Sequence, residues 1–169
     1  VNNLTRKYVS STNYVSEADS ISDALRLKAK GLYDDAYRFG TVTDPKVLAT
    51  LVNNKSFKNA FAKAQSLAAT QKDTARGQAA LDGLPFDESK FDLIPYDIEA
   101  GIFPDLRTLD YVKRAIDDEI DAGFKSKAGS LSSAEATALK DLRNVWVKLL
   151  DNATEDQNGV SAYRKARQE

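Results

Sequence analysis

Carboxylates are the side chains of this chain best equipped for chemistry. Asp117, Asp118, Glu119 and Asp121 form its densest acidic cluster. At helical spacing Asp117 and Asp121 fall one turn apart on one face, as two oxygen ligands of a hard cation would. Calcium sites draw several ligands from a tight loop, however, and this cluster is interleaved with bases. Asp110 with Arg114, Lys113 with Asp117, and Arg114 with Asp118 are spaced for ion pairs, so a solvated charged face is expected and no metal ligand is assigned. Glu99 with Asp97 or Asp105 is the other arrangement. An acid and a second carboxylate cleave glycosides, and burial among apolar neighbours would raise the pKa of Glu99 as such an acid requires. Any domain of this composition carries such carboxylates, and no catalytic residue is expected.

The 169 residues include neither histidine nor cysteine. Ser-His-Asp and Cys-His catalysis, thiolate metal sites and disulfides are therefore excluded within the chain. Gly77, Gly83, Gly101 and Gly129 are isolated and make no phosphate-cradling loop, so no cofactor is expected. Lys and Arg total 24 against 25 Asp and Glu, and a net charge of -1 gives no field to draw a polyanion, so nucleic acid is not expected as a partner. Lys55, Lys58 and Lys63, with Arg6, Lys7, Lys28 and Lys30, make local basic patches. Their neighbours Phe57 and Phe61 sit at core spacing, which favours packing over base stacking. No run approaches the roughly 18–20 apolar residues of a spanning helix. Methionine is absent, at position 1 as elsewhere, which points to a piece of a longer polypeptide.

The elements that must position these residues are helical. With 42% hydrophobic and 29% charged residues, the chain has the apolar content for one folded domain, expected over 16–169 behind an extended polar arm at 1–15. From Ser16 a stripe of Ile21, Leu25, Ala29, Leu32 and Ala36, widened by Leu27 and Tyr33, predicts a helix up to Gly40, with Gly31 as an interruption or a close-packing point. Thr43 or Asp44 before Pro45 predicts an N-cap and a short helix through Val47, Leu48, Leu51 and Val52. Ser56 is expected to cap a longer helix bearing Phe57, Ala60, Phe61, Ala64, Leu67 and Ala68, fraying or exposed over 70–80. Between 81 and 105, Gly83, Pro85, Pro95, Gly101 and Pro104 break up apolar pieces, predicting an irregular belt with a helical turn near 96–100. Its apolar side chains Phe86, Phe91, Tyr96, Ile102 and Phe103 are the candidate interaction surface.

Leu106, Leu109, Val112, Ile116 and Ile120 then recur at helical spacing, with Arg107, Asp110, Arg114, Asp117, Asp118 and Asp121 filling the remaining surface. After a turn at 125–129, Ser132 or Ser133 with Glu135 opens a second helix bearing Ala136, Leu139, Leu142, Val145, Trp146, Leu149 and Leu150. Trp146 is read as core, with a surface anchor for a partner as the alternative. Helices over 107–123 and 133–152 should form an antiparallel hairpin. Val160, Ala162, Tyr163 and Ala166 supply a short terminal helix docked by Tyr163. The fold class is all-α, a compact bundle of five or six helices with a Pro/Gly-rich belt and a C-terminal helical hairpin.

The segments LRLKAKGLYDDAYRFGTVTDPKVLATLVNNKSFKNAFAKAQSLA, LRTLDYVKRAIDDEIDAG, ALKDLRNVWVKLLD and AYRKAR, in this order, resemble a domain carried by large virion and internal, ejection-type proteins of tailed bacteriophages and prophages. The resemblance covers about residues 20–167 and rests on ordinary helix residues, with no catalytic motif to carry over. It implies a structural or packing module of a phage particle, belonging to a protein ejected with the genome, whose partners are other virion proteins or other parts of the same polypeptide. An oligomer is compatible with this, and the implied location is the virion. The alternatives are a non-catalytic accessory domain of a virion-borne lytic or nucleic-acid enzyme, or a cytoplasmic helical adaptor.

Overall fold

A computed structural model of the protein describes residues 11–126 and 129–168, with side chains described from residue 19 onward. Of the extended arm expected at 1–15, the first ten residues lie outside the described residues, and the rest are helical. Helix α1 (Ser11–Tyr37) begins earlier than Ser16 and runs unbroken through Gly31. Helix α2 (Pro45–Asn53) has Asp44 as its N-cap, whose side chain accepts from the Lys46 and Val47 amides, with Pro45 in the first turn. Helix α3 (Lys55–Asp82) is capped by Asn54 rather than Ser56. Asn54 closes α2 and opens α3, and its side chain accepts from the Ser56 amide. α3 does not fray after Ala68 but continues, largely exposed, to Gly83, whose left-handed φ of 63° ends it.

Helix α4 (Leu106–Phe124) starts at Asp105, which accepts from the Thr108 amide. Helix α5 (Ser133–Ala153) carries the capping box foreseen from Ser132 and Glu135. Helix α6 (Ala162–Gln168) is docked by the fully buried Tyr163. Six α-helices and no strand are found among the described residues, an all-α bundle as the periodicity predicts.

Paired side chains give the helix directions. Lys63 meets Glu119 and Gln71 meets Tyr111, so α3 and α4 are antiparallel. Arg143 meets Asp117 and Gly123 lies against Ala136, so α4 and α5 form the expected antiparallel hairpin. Part of its connection, residues 127–128, lies outside the described residues. α4 is the central helix, with Leu106, Leu109, Val112 and Ile116 all fully buried. Trp146 is buried and packs on Phe57 at 4.6 Å between ring centroids, joining α5 to α3 as core. Phe61 packs edge-on against Tyr96, so both phenylalanines serve packing. Val145, expected on the apolar face of α5, is exposed.

Helix α1 lies antiparallel to α4, with Tyr37 beside Arg107 and Asp110 and Tyr33 beside Arg114, but its main neighbour is α6. Only the C-terminal part of its stripe is covered: Ala36 is buried and Leu32 half-buried, whereas Ile21, Leu25 and Leu27 are exposed. A backbone clasp closes the molecule between the ends of α1 and the belt. Val42 donates to the Pro104 carbonyl at 2.9 Å and Leu106 donates to the Gly40 carbonyl at 2.8 Å.

Candidate functional site

The belt between α3 and α4 is ordered by contacts with both helices. Its first part turns back along α3 through a short 3-10 segment, Glu88–Phe91, whose cap Asp87 accepts from the Ser89 amide. Lys72 and Arg76 of α3 hold Glu88 at 3.0 and 2.8 Å, and Lys72 also reaches Asp92. From the other side, Arg107 donates to the Ser89 carbonyl and the Thr108 hydroxyl accepts from the Ile94 amide. The turn expected at 96–100 is a tight reversal, not a helical turn. Asp97 and Ile102 exchange backbone hydrogen bonds of 2.9 and 2.8 Å around Gly101, whose φ of 77° suits glycine.

Four of the five candidate residues, Phe86, Phe91, Tyr96 and Phe103, are half-buried. Phe86 and Phe91 stack on each other at 5.8 Å, with the Arg76 guanidinium over Phe86. Tyr96 sits separately against Phe61, and its burial pushes the hydroxyl pKa above the ordinary tyrosine value. Phe103 is half-buried, and of the five only Ile102 is freely exposed. The aromatics are spent on fixing the belt to α3. What they leave to solvent is aliphatic: Leu81 at 84% exposure, Leu84 at 62%, Ile94 and Ile102. Leu81 and Leu84 flank a glycine C-cap, a signal present in the sequence but outweighed there by the aromatics.

The acidic residues of α4 divide between two environments. Asp117 pairs with Lys113 and Arg143, both at 2.7 Å, Glu119 with Lys63 at 3.0 Å, and Asp121 with Lys125 at 3.3 Å. No group of carboxylates suited to a metal is found among the described residues. Asp110 departs from the expected solvated face: it is fully buried. Its oxygens accept from Tyr37 at 2.6 Å and Tyr163 at 2.8 Å, and Arg114 pairs with it at 2.8 Å. Arg114, expected to serve Asp118 as well, instead donates to the Tyr37 hydroxyl and lies over the Tyr33 and Tyr111 rings at 5.2 and 5.0 Å.

Burial, then the Asp110 charge, push the Tyr37 and Tyr163 pKa values far above the tyrosine range, so both hydroxyls stay protonated donors. Burial opposes the Arg114 charge, but Asp110 and the surrounding tyrosines outweigh it and raise the guanidinium pKa. The cluster is a structural tie linking α1, α4 and α6. Glu99, the candidate glycosidase acid, is exposed on the reversal, Asp97 accepts from the Ala100 amide, and Asp105 caps α4, so the burial that acid catalysis needs is missing.

No helix among the described residues is long and apolar enough to cross a membrane. Comparison with known proteins finds no matching family model, no similar curated protein and no similar solved structure.

Proposed function

We propose that this chain is a structural module of a bacteriophage particle, part of an internal protein that leaves with the genome, and that it works by binding other proteins of the particle. The observation that carries the association is the belt itself. It is fixed to two helices by ion pairs and hydrogen bonds, yet turns Leu84, Ile94 and Ile102 outward beside the exposed Leu81 at the end of α3. Side chains of this kind on a fixed backbone lose little conformational freedom when a partner covers them. The assignment to a particle rests on the helix-segment resemblance to virion and ejection-type proteins.

The test is mass spectrometry of density-purified particles and of infected-cell cytosol, looking for peptides of this chain. The expected result is copurification with particles; peptides confined to the cytosol would sink the particle reading. Within particles, replacing Leu81 and Leu84 by Glu should lower incorporation while leaving the helical circular dichroism spectrum intact.

A further inference from the structure

A cleft of about 340 Å³ opens where α2, α3 and the reversal at 97–102 meet. The half-buried side chains of Phe61, Tyr96 and Ile98 wall it, with Val52 at its α2 edge. Its shape is preset. Phe61 stands edge-on to Tyr96 at 5.2 Å, and the backbone bonds between Asp97 and Ile102 fix the turn that carries Ile98. Ligand pockets run to roughly 300–1,000 Å³, so a cleft at the small end of that range suits a small molecule.

The polar groups of its lining are uncommitted. Lys58 of α3 and Glu99 of the reversal both line the cleft, yet they pair neither with each other nor with any other charge among the described residues. The Tyr96 hydroxyl likewise has no hydrogen-bond partner among them. Asp97 is committed, since its carboxylate accepts from the Ala100 amide. Elsewhere along the belt charges are matched, as Glu88 and Asp92 are by Lys72 and Arg76. One cation, one anion and one neutral hydroxyl therefore flank an apolar wall. The chemistry that answers all of them is a carboxylate, an ammonium and an apolar body carried on one small molecule.

We propose that this cleft binds a free α-amino acid with a large apolar side chain. Its carboxylate meets Lys58 and the Tyr96 hydroxyl, its ammonium meets Glu99, and its side chain lies against Phe61 and Ile98. The apolar wall supplies attraction, and the exposed charges set the orientation and select the zwitterion. The cleft shares no side chain with the aliphatic surface offered to a protein partner, so its failure would leave that reading intact.

Amide NMR shifts of the full chain titrated with L-phenylalanine test this. Saturable shifts should gather at 51–61 and 96–99. Phenethylamine and hydrocinnamate each lack one charge, and should bind roughly two- to fivefold more weakly, the worth of one exposed ion pair. Lys58 and Glu99 are exposed, so substituting them leaves the fold in place. Lys58→Gln should erase the advantage of phenylalanine over phenethylamine, and Glu99→Gln its advantage over hydrocinnamate. Phenylalanine shifts that do not saturate up to its solubility, or that fall elsewhere, overturn the site. Equal binding of the three compounds, or a preference that survives both substitutions, overturns the amino-acid assignment.

Discussion

Asp110 has its two oxygens filled by two tyrosine hydroxyls and a guanidinium, so its removal strips three donors at once. Asp110→Ala would leave the Arg114 charge without its partner, and Arg114 keeps some access to water. The expected loss is about 3 kcal/mol, read as a lower urea midpoint. The pH dependence follows from the tyrosines. Their folded pKa values lie above the unfolded value of about 10, so their contribution is complete below that pH. It is lost as pH climbs from there toward the folded values. Urea midpoints should fall above pH ~10, with a shallower slope in Tyr163→Phe; an unchanged slope would refute the tyrosine origin. The tyrosine partners of Asp110 were not readable from periodicity. Asp110 lies one turn after Leu106 at the margin of the apolar stripe, and its hydroxyl partners are 73 and 53 residues away. The pairs within a turn or so, Lys113 with Asp117 and Asp110 with Arg114, were readable because helical spacing alone sets them.

At the scale of elements, the same substitution should act with opposite sign in two helices. A Cβ on Gly123 of α4 would stand 2.8 Å from the Ala136 Cβ, 3.2 Å from the Leu131 carbonyl and 3.3 Å from the Leu131 Cβ. Gly123→Ala therefore forces the hairpin apart and should cost roughly 1–3 kcal/mol. Gly77 in α3 meets nothing within 4 Å, so Gly77→Ala should gain about 0.5–1 kcal/mol from helix propensity alone. Thermal melting of the two variants decides; a stabilised Gly123→Ala would mean that α4 and α5 do not approach this closely. The Asp44 cap of α2, the capping box of α5 and the hairpin were legible because they depend on residues close in sequence. The exposure of α3 over 70–80 was legible too, but not its continuity, because the ion pairs of Lys72 and Arg76 to Glu88 that tie it to the belt reach outside the helix.

For the whole molecule, the pairing of α1 with α6 is the part that local pattern could not supply. The sequence marks each helix and its apolar stripe but not which distant stripe it meets. Since α6 is the main neighbour of α1, a chain ending before Ser161 should lose amide-exchange protection over 29–37 while the α3–α4–α5 core keeps its own. Equal protection in the shortened chain would show that α4 suffices to hold α1. The clasp that ties Gly40 and Val42 to residues 104–106 has a kinetic counterpart. The first helix cannot settle until the start of α4 exists and cannot be covered until α6 does. On a nascent chain α1 therefore waits, with the row that α6 covers still in water, until residues 162–168 have been made.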